Sequence, residues 1–342
     1  MPDRTPYDVA RSASVWTERA ARGRLFLSGP DRASYLQGLL TNDIKAIRPG
    51  GGCYAAWLTP QGRMTTDMRI YELGDGMLIT LPASTAASTR DRLEELIFAE
   101  DVAVEDRTAT WAQIGVHGPS AASDLARALG SGNLRPLGPF ESRRVALGGT
   151  EVVVARTDEL GGGFDVFAAG GGDDVRRALV GAAVPRAGED LVEVLRVEAG
   201  VPEFGVDMQA DTIPLEAGIE ARAISFTKGC YVGQEVIVRV LHRGQGRVAR
   251  RLVGLTIGER GDAPPVPAAR AAITVDGREV GRVTSAVRSP ALECAIALGY
   301  VHRGFIEPGT RLLVADGDRR LSAVVTALPF VPIADCRLPI GD

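Results

Sequence analysis

The chain of 342 residues has 45% hydrophobic side chains, and 39 Lys and Arg against 43 Asp and Glu leave a formal net charge of −4, so it is read as a soluble globular protein of two or three domains and not as a strongly basic nucleic-acid binder. No apolar run approaches the length of a membrane span, and residues 1–21 lack the apolar segment of a secretory leader. The four cysteines (Cys53, Cys230, Cys294, Cys336) lie far apart without a CxxC pair, which argues against structural zinc and a disulfide framework and makes a reducing cytoplasm the expected setting.

In chain order, residues 24–28 have strand composition and Gly29-Pro30 marks a turn. Asp31 can cap a helix whose face carries Tyr35, Leu36, Leu39 and Leu40. Strands follow at 54–58, 64–73 and 77–81, then a helix with an apolar stripe of Leu93, Leu96 and Ile97. The opening phrase then returns: 111–116 is strand-like, Gly118-Pro119 turns, Ser120 can cap, and Leu125 and Leu129 lie one helical turn apart. Aligned at the turns, SGPDRASYL and HGPSAASDL share Gly, Pro, Ala, Ser and Leu, which predicts an internally duplicated unit. Strands 143–147 and 150–156 flank the hairpin signal Gly148-Gly149, and 164–168 adds another.

From residue 252 the pattern is strands alone: 272–275 and 279–284 around Asp276-Gly277, then 295–301, 311–314 and 321–326, with a Pro-rich loop at 263–267. The predicted class is α+β, with two ferredoxin-like lobes followed by a C-terminal antiparallel β-barrel. The duplicated region spans 1–250, in lobes of roughly 1–108 and 109–250 that could interleave, and the barrel spans 251–342.

Two carboxylates occupy unusual places. On the helix over 189–199, Leu191, Val194 and Leu195 form the buried face and Glu198 continues it, so its charge must be paired or hydrogen-bonded. Asp165 lies between Phe164 and Val166 in a strand, facing away from both. A buried carboxylate suits the guanidine-like edge of a pterin, whose parallel N–H donors match its two oxygens; a solvated position is the plainer alternative for each.

The stretch Lys228-Gly229-Cys230-Tyr231-Val232-Gly233-Gln234-Glu235 places a cysteine beside a lysine, ahead of a helix expected from near Tyr231 with Val232, Val236, Ile237, Val240 and Leu241 on its apolar side. A helix N-terminus and the Lys228 charge would both favour a reactive thiolate. The alternative is a small buried hydrophobe. Behind it cluster Arg239, His242, Arg243, Arg247, Arg250 and Arg251, a patch for phosphate, tRNA or the acidic tail of folate, or a solvated linker.

The phrases GRLFLSGPDRASYLQGLLTND, YAAWLTPQGRM, LRVEAGVPEFGVDM, DTIPLEAGI, KGCYVGQE and HRGQGRVAR resemble the YgfZ family of folate-binding proteins, relatives of the aminomethyltransferase (T) subunit of the glycine cleavage system. The resemblance covers nearly the whole chain. It implies a three-domain ring around a tetrahydrofolate channel and a role in assembling or maintaining iron-sulfur enzymes, including tRNA-modifying ones. It also implies pterin contacts at Glu198 and Asp165, with Arg196 and Gln234 at the cofactor and Cys230, with Lys228, as the working thiol and possible transient cluster ligand. Where the aminomethyltransferase has a glycine pair and then two adjacent aspartates, this chain has Gly62-Arg63 and Thr66-Asp67, so little aminomethyl transfer is expected. The family's RTGYTGEDGF phrase is shortened here to RTDELGGGF.

Three functions follow: a folate-dependent accessory protein for iron-sulfur clients, a one-carbon transferase using Asp67, or a thiol redox protein that holds folate structurally.

Overall fold

The structure, a computed structural model, describes residues 5–131, 137–242, 247–258 and 264–332. Helix α1 (Pro6–Ser12) starts from a capping box between Thr5 and Asp8, and strand β1 (Val15–Glu18) follows. Next come β2 (Arg22–Ser28), α2 (Arg32–Leu39), β3 (Gly52–Leu58), β4 (Met64–Glu72), β5 (Met77–Pro82), α3 (Ala83–Glu95) and β6 (Ala103–Asp106). They build an antiparallel sheet ordered β3-β4-β5-β2-β6. Helices α2 and α3 cover one face over a core that includes Leu25, Leu27, Leu36, Met68, Ile79 and Leu93.

The second sheet repeats this plan with β7 (Trp111–His117), α4 (Ala121–Ala128), β8 (Ser142–Leu147), β9 (Thr150–Thr157), β10 (Gly163–Ala169) and α5 (Asp173–Gly181). Its order is β8-β9-β10-β7-β1, so the place that β6 takes in the first sheet is filled by β1 from the start of the chain. In α4 and α5 the pairs Ala121/Leu125 and Val175/Leu179, each one turn apart, supply the buried stripe.

The duplicated turn has one cause in both copies. Gly29 (φ 100°) and Gly118 (φ 123°) lie where a Cβ would come within 2.0 Å of the Asp101 carbonyl oxygen and 2.3 Å of that of Ala13. Those same carbonyls accept from the backbone N–H groups of Asp31 and Ser120. Neither residue caps its helix through its side chain, contrary to the sequence expectation: the Asp31 carboxylate accepts from Asp101 N at 2.9 Å instead. Each sheet has five strands, one more than a four-stranded ferredoxin-like unit, because a three-strand meander follows the first helix of each copy.

The uncovered faces of the two sheets meet, with Phe26, Tyr71 and Leu78 against Val153, Ala155 and Phe167. Helices α6 (Glu189–Glu198), α7 (Pro214–Ala217), α8 (Glu220–Ala223) and α9 (Gln234–His242) lead to the last unit. There β11 (Arg250–Ile257), β12 (Ala272–Val275), β13 (Arg278–Ser289), β14 (Cys294–His302), β15 (Arg311–Asp316) and β16 (Arg319–Thr326) close into a barrel ordered β11-β14-β13-β12-β15-β16. Strand β14 reads as an unbroken apolar run because both faces are covered. Ala295, Ala297 and Val301 point into the barrel, while Cys294, Ile296, Leu298 and Tyr300 pack outward with Val197 of α6 and Phe330. Among the described residues no helix is long and apolar enough to cross a membrane.

Candidate functional site

Alternation along β4 sends Thr66, Met68 and Ile70 one way and Asp67, Arg69 and Tyr71 the other. Met68 and Ile70 enter the core under α2 and α3, and the Thr66 hydroxyl lies 2.9 Å from that of Thr85 on α3. Asp67 and Arg69 line a cavity of about 300 Å³ together with Arg19, Arg22, Glu159 and Arg196. Thr66 thus faces a helix, while the adjacent Asp67 carboxylate faces the cavity.

Opposite β4, Tyr54 on β3 donates its hydroxyl to Asp67 Oδ2 at 2.7 Å and lies 4.9 Å beneath the Arg69 guanidinium. Burial and the neighbouring Asp67 charge hold the Tyr54 phenol protonated, well above its usual range. The second oxygen of Asp67, Oδ1, is buried with no partner. Arg69 Nε donates to Asp158 Oδ1 at 2.7 Å, and its Nη1 lies 2.8 Å from Glu159 Oε1. Burial opposes ionisation of Asp158, but Arg69 and Arg222 beside it hold its carboxyl below the usual range. Burial pulls the Arg22 guanidinium down to about 10, and the positive charge of Arg69 adds to the effect.

Arg196 ties this wall to the barrel: it meets Glu193 and Asp207 at 2.6 Å each, the Val201 carbonyl at 2.7 Å and Ser285 Oγ at 2.6 Å. Glu198, expected at the pterin, is fully buried but already engaged. Its oxygens accept from Tyr7 at 2.9 Å, from Ser289 at 2.5 Å and from Arg11, and it does not line the cavity. Asp165 is fully buried behind the cavity; one oxygen accepts from Gln113 Nε2 at 3.0 Å and the other has no partner. Gln234 accepts from Tyr231 N at 3.3 Å, within its own turn.

The thiol motif is built differently from its sequence expectation. The helix begins at Gln234, four residues beyond Cys230, so the exposed Cys230 does not sit at its N-terminus. Lys228 is turned inward, and its ammonium donates to the carbonyls of Gln37, Leu40 and Asn42 at 2.6, 2.7 and 2.7 Å, closing the C-terminal end of α2. Replacing Lys228 by Met should therefore cost about 2–3 kcal/mol through the three orphaned carbonyls and leave the alkylation rate of Cys230 unchanged within about two-fold; chemical denaturation and timed alkylation measure the two separately. Of the basic cluster behind the motif, Arg243 and the His242 side chain lie outside the described residues, as does Cys336. Arg250 pairs with Asp211 and Glu216, and Arg251 with Glu220. Among the described residues no three His, Cys, Asp or Glu side chains form a metal-ligand set.

His117, unremarked in the sequence, is buried on the inner face of the second sheet, its Nδ1 3.1 Å from the Gly162 carbonyl oxygen. Burial and the Arg19 charge push its pKa down to about 4. As pH falls through about 6.5 the unfolded chain takes up a proton that folded His117 refuses until about pH 4. Stability should drop across that window by about 3 kcal/mol and by no more below it. Denaturation midpoints at pH 7 and 4.5 should differ less in His117→Gln than in the parent.

Residues 7–228 match the family described as the GCVT N-terminal domain, and residues 250–332 match the glycine cleavage T-protein C-terminal barrel domain. The chain is similar to the aminomethyltransferase of Rubrobacter xylanophilus, with 31% identity over 329 residues, covering 95% of this chain and 85% of that protein. It is also similar to the aminomethyltransferase of Saccharopolyspora erythraea, with 30% identity over 336 residues, covering 96% and 89%. Among solved structures, the glycine cleavage system aminomethyltransferase T from Bartonella henselae shares the fold, with a TM-score of 0.85 at 22% identity, covering 97% of this chain and 92% of that one.

Proposed function

This chain belongs to the glycine cleavage T-protein family, and we propose that its charged cavity holds the reactive end of tetrahydrofolate while Asp67 serves as the acid–base group for one-carbon transfer. Tetrahydrofolate is the cofactor of this family, and its bound pterin supplies the nitrogen that carries the one-carbon unit. The residues present fit such a head group: the acceptor Asp67 Oδ1 and the donor Arg19 Nε are both buried at the cavity without partners. Asp67, Arg19 and Arg22 would hold it. The Tyr54 hydroxyl fixes the orientation of Asp67, and the Arg69 charge keeps a carboxylate tolerable in a buried place. The observation that carries the reading is the cavity-facing Asp67 with one free oxygen, beside a Thr66 that faces elsewhere.

A second reading, of a YgfZ-type accessory protein for iron-sulfur clients, rests on the KGCYVGQE motif and the exposure of Cys230 outside the cavity, where another protein can reach it. The named relatives support one-carbon transfer more than this role. Calorimetry with tetrahydrofolate tests the shared premise. Production of methylenetetrahydrofolate from an aminomethylated carrier protein supports the first reading. Its absence, combined with loss of iron-sulfur enzyme activity in cells carrying only Cys230→Ser, transfers the conclusion to the second.

A further inference from the structure

The hydrogen bonds that aim Arg22 at the cavity begin one sheet away, at Asp165. Arg22 Nη2 donates to the Thr80 carbonyl oxygen at 3.0 Å, and its Nε to the Thr80 hydroxyl oxygen at 3.4 Å. The Thr80 hydroxyl donates to Gln113 Oε1 at 2.9 Å, and Gln113 Nε2 donates to Asp165 Oδ2 at 3.0 Å. Arg22 and Thr80 belong to the first sheet and Gln113 and Asp165 to the second, so the chain of bonds crosses the interface where the two uncovered faces meet. All four residues are buried. Glu159 Oε1 lies 3.4 Å from Arg22 Nε without a well-formed bond, which leaves Thr80 as the group that sets the direction of the guanidinium.

Each link takes its direction from the one before. A carboxylate only accepts, so Asp165 draws the NH₂ of Gln113 toward itself and turns the amide oxygen to Thr80. That oxygen takes the hydroxyl proton of Thr80, and the lone pairs of Thr80 Oγ1 are left for the Nε–H of Arg22. Reversing the Gln113 amide would set its NH₂ against Thr80, point the hydroxyl proton at Arg22 and oppose donor with donor. Stability does not explain the arrangement. It keeps from water a carboxylate with one unpartnered oxygen, and replacing buried charged groups by apolar side chains of similar size is often neutral or stabilising. Burial and the Arg69 charge work against the Arg22 cation, and Asp165 is among the acids that support it.

We propose that Asp165 is a positioning residue, which through Gln113 and Thr80 fixes the Arg22 guanidinium in the orientation that receives the head group. The inference rests on the folate reading for what Arg22 holds, and on the hydrogen-bond chain alone for how Arg22 is held.

Exchanging acid and amide between the two positions tests it. Asp165→Asn offers an NH₂ where only acceptors stood and frees Gln113 to turn, so calorimetry should find tetrahydrofolate bound about ten-fold more weakly, the worth of one hydrogen bond to a charged group. Combining Asp165→Asn with Gln113→Glu restores the direction, because the carboxylate at position 113 accepts from Thr80 on one side and from the new amide on the other, with buried charge and volume kept. Affinity should return to within about two-fold of the parent, and in an Arg22→Gln background Asp165→Asn should add less than about two-fold. Proton exchange at Arg22 Nε–H, followed by NMR with labelled arginine and assigned through Arg22→Lys, reads the same chain without folate. It should quicken about five-fold or more in Asp165→Asn and slow again in the exchanged pair. Thr80→Val deletes the middle link and should act like Asp165→Asn; adding Asp165→Asn to it should change neither readout, a comparison that serves if the exchanged pair does not fold. Unchanged exchange in Asp165→Asn, a folded exchanged pair that restores nothing, or a further loss on top of Thr80→Val overturns the inference. The expected exchange pattern in a chain that binds no tetrahydrofolate sinks the folate reading and leaves the positioning role standing.

Discussion

Replacing Asp67 by asparagine is expected to lower the single-turnover rate of one-carbon transfer at saturating folate by about 10²- to 10⁴-fold, the range lost when a positioned acid–base group is removed, and to weaken tetrahydrofolate binding as well, because the Oδ1 acceptor of the head group is lost. Asparagine keeps the size of the side chain and can still accept from the Tyr54 hydroxyl, which approaches Asp67 Oδ2 at 2.7 Å. It cannot take up or release a proton at the free Oδ1 position. Tyr54→Phe should be milder, because the ring beneath Arg69 remains and only the orientation of the carboxylate is lost. Rapid-quench measurement with saturating folate separates these effects from binding. Transfer in Asp67→Asn within three-fold of the parent moves the acid–base role to another residue.

Removing the Glu198 carboxylate should be strongly destabilising. Glu198→Ala strands the Arg11 guanidinium and leaves the hydroxyls of Tyr7 and Ser289 without their acceptor. Breaking a buried pair from one side costs about 3–5 kcal/mol, and equilibrium denaturation should read that loss. Glu198→Gln keeps the shape and loses the charge, so it should fall between Ala and the parent. The same two proteins weigh the pterin role that the sequence assigned to this residue. A clamp predicts a stability loss with tetrahydrofolate affinity intact, whereas weakened affinity at unchanged stability returns Glu198 to the ligand site.

The sheets and the barrel were legible because their strands alternate or run apolar over long stretches, and because the turn phrase around Gly29 and Gly118 carries its own steric reason. Elements α7 and α8, four residues each, offer too little periodicity to see, and β6 (AVED) and α1 are polar enough to pass as loop. The cavity was half legible. Asp67 stood out through a family phrase, but Arg69 looked like one charge in a strand; only the strand order of its own sheet brings Arg22 near it, and only the second sheet, between β9 and β10, supplies Glu159. A usable signal was present: an arginine set between Met68 and Ile70 in the strand MTTDMRIYE needs a buried partner. Lys228 shows the opposite error, since adjacency in sequence suggested that it served Cys230, while its four-carbon stem reaches the end of a helix nearly two hundred residues earlier.

The borrowed strand β1 sets a schedule for synthesis. It pairs with β7 along Val15–Glu18, and that partner begins at Trp111, some ninety residues later. At about 5–20 residues per second, the nascent chain carries Val15 and Trp16 uncovered for roughly 5–20 s after they leave the ribosome, while the first sheet, whose strands are all encoded by residue 106, can already close. Trp16 ends in the core of the second sheet. The opening segment is therefore the place where a trigger-type chaperone has most to shield, and a stall between residues 20 and 110 would expose it longest.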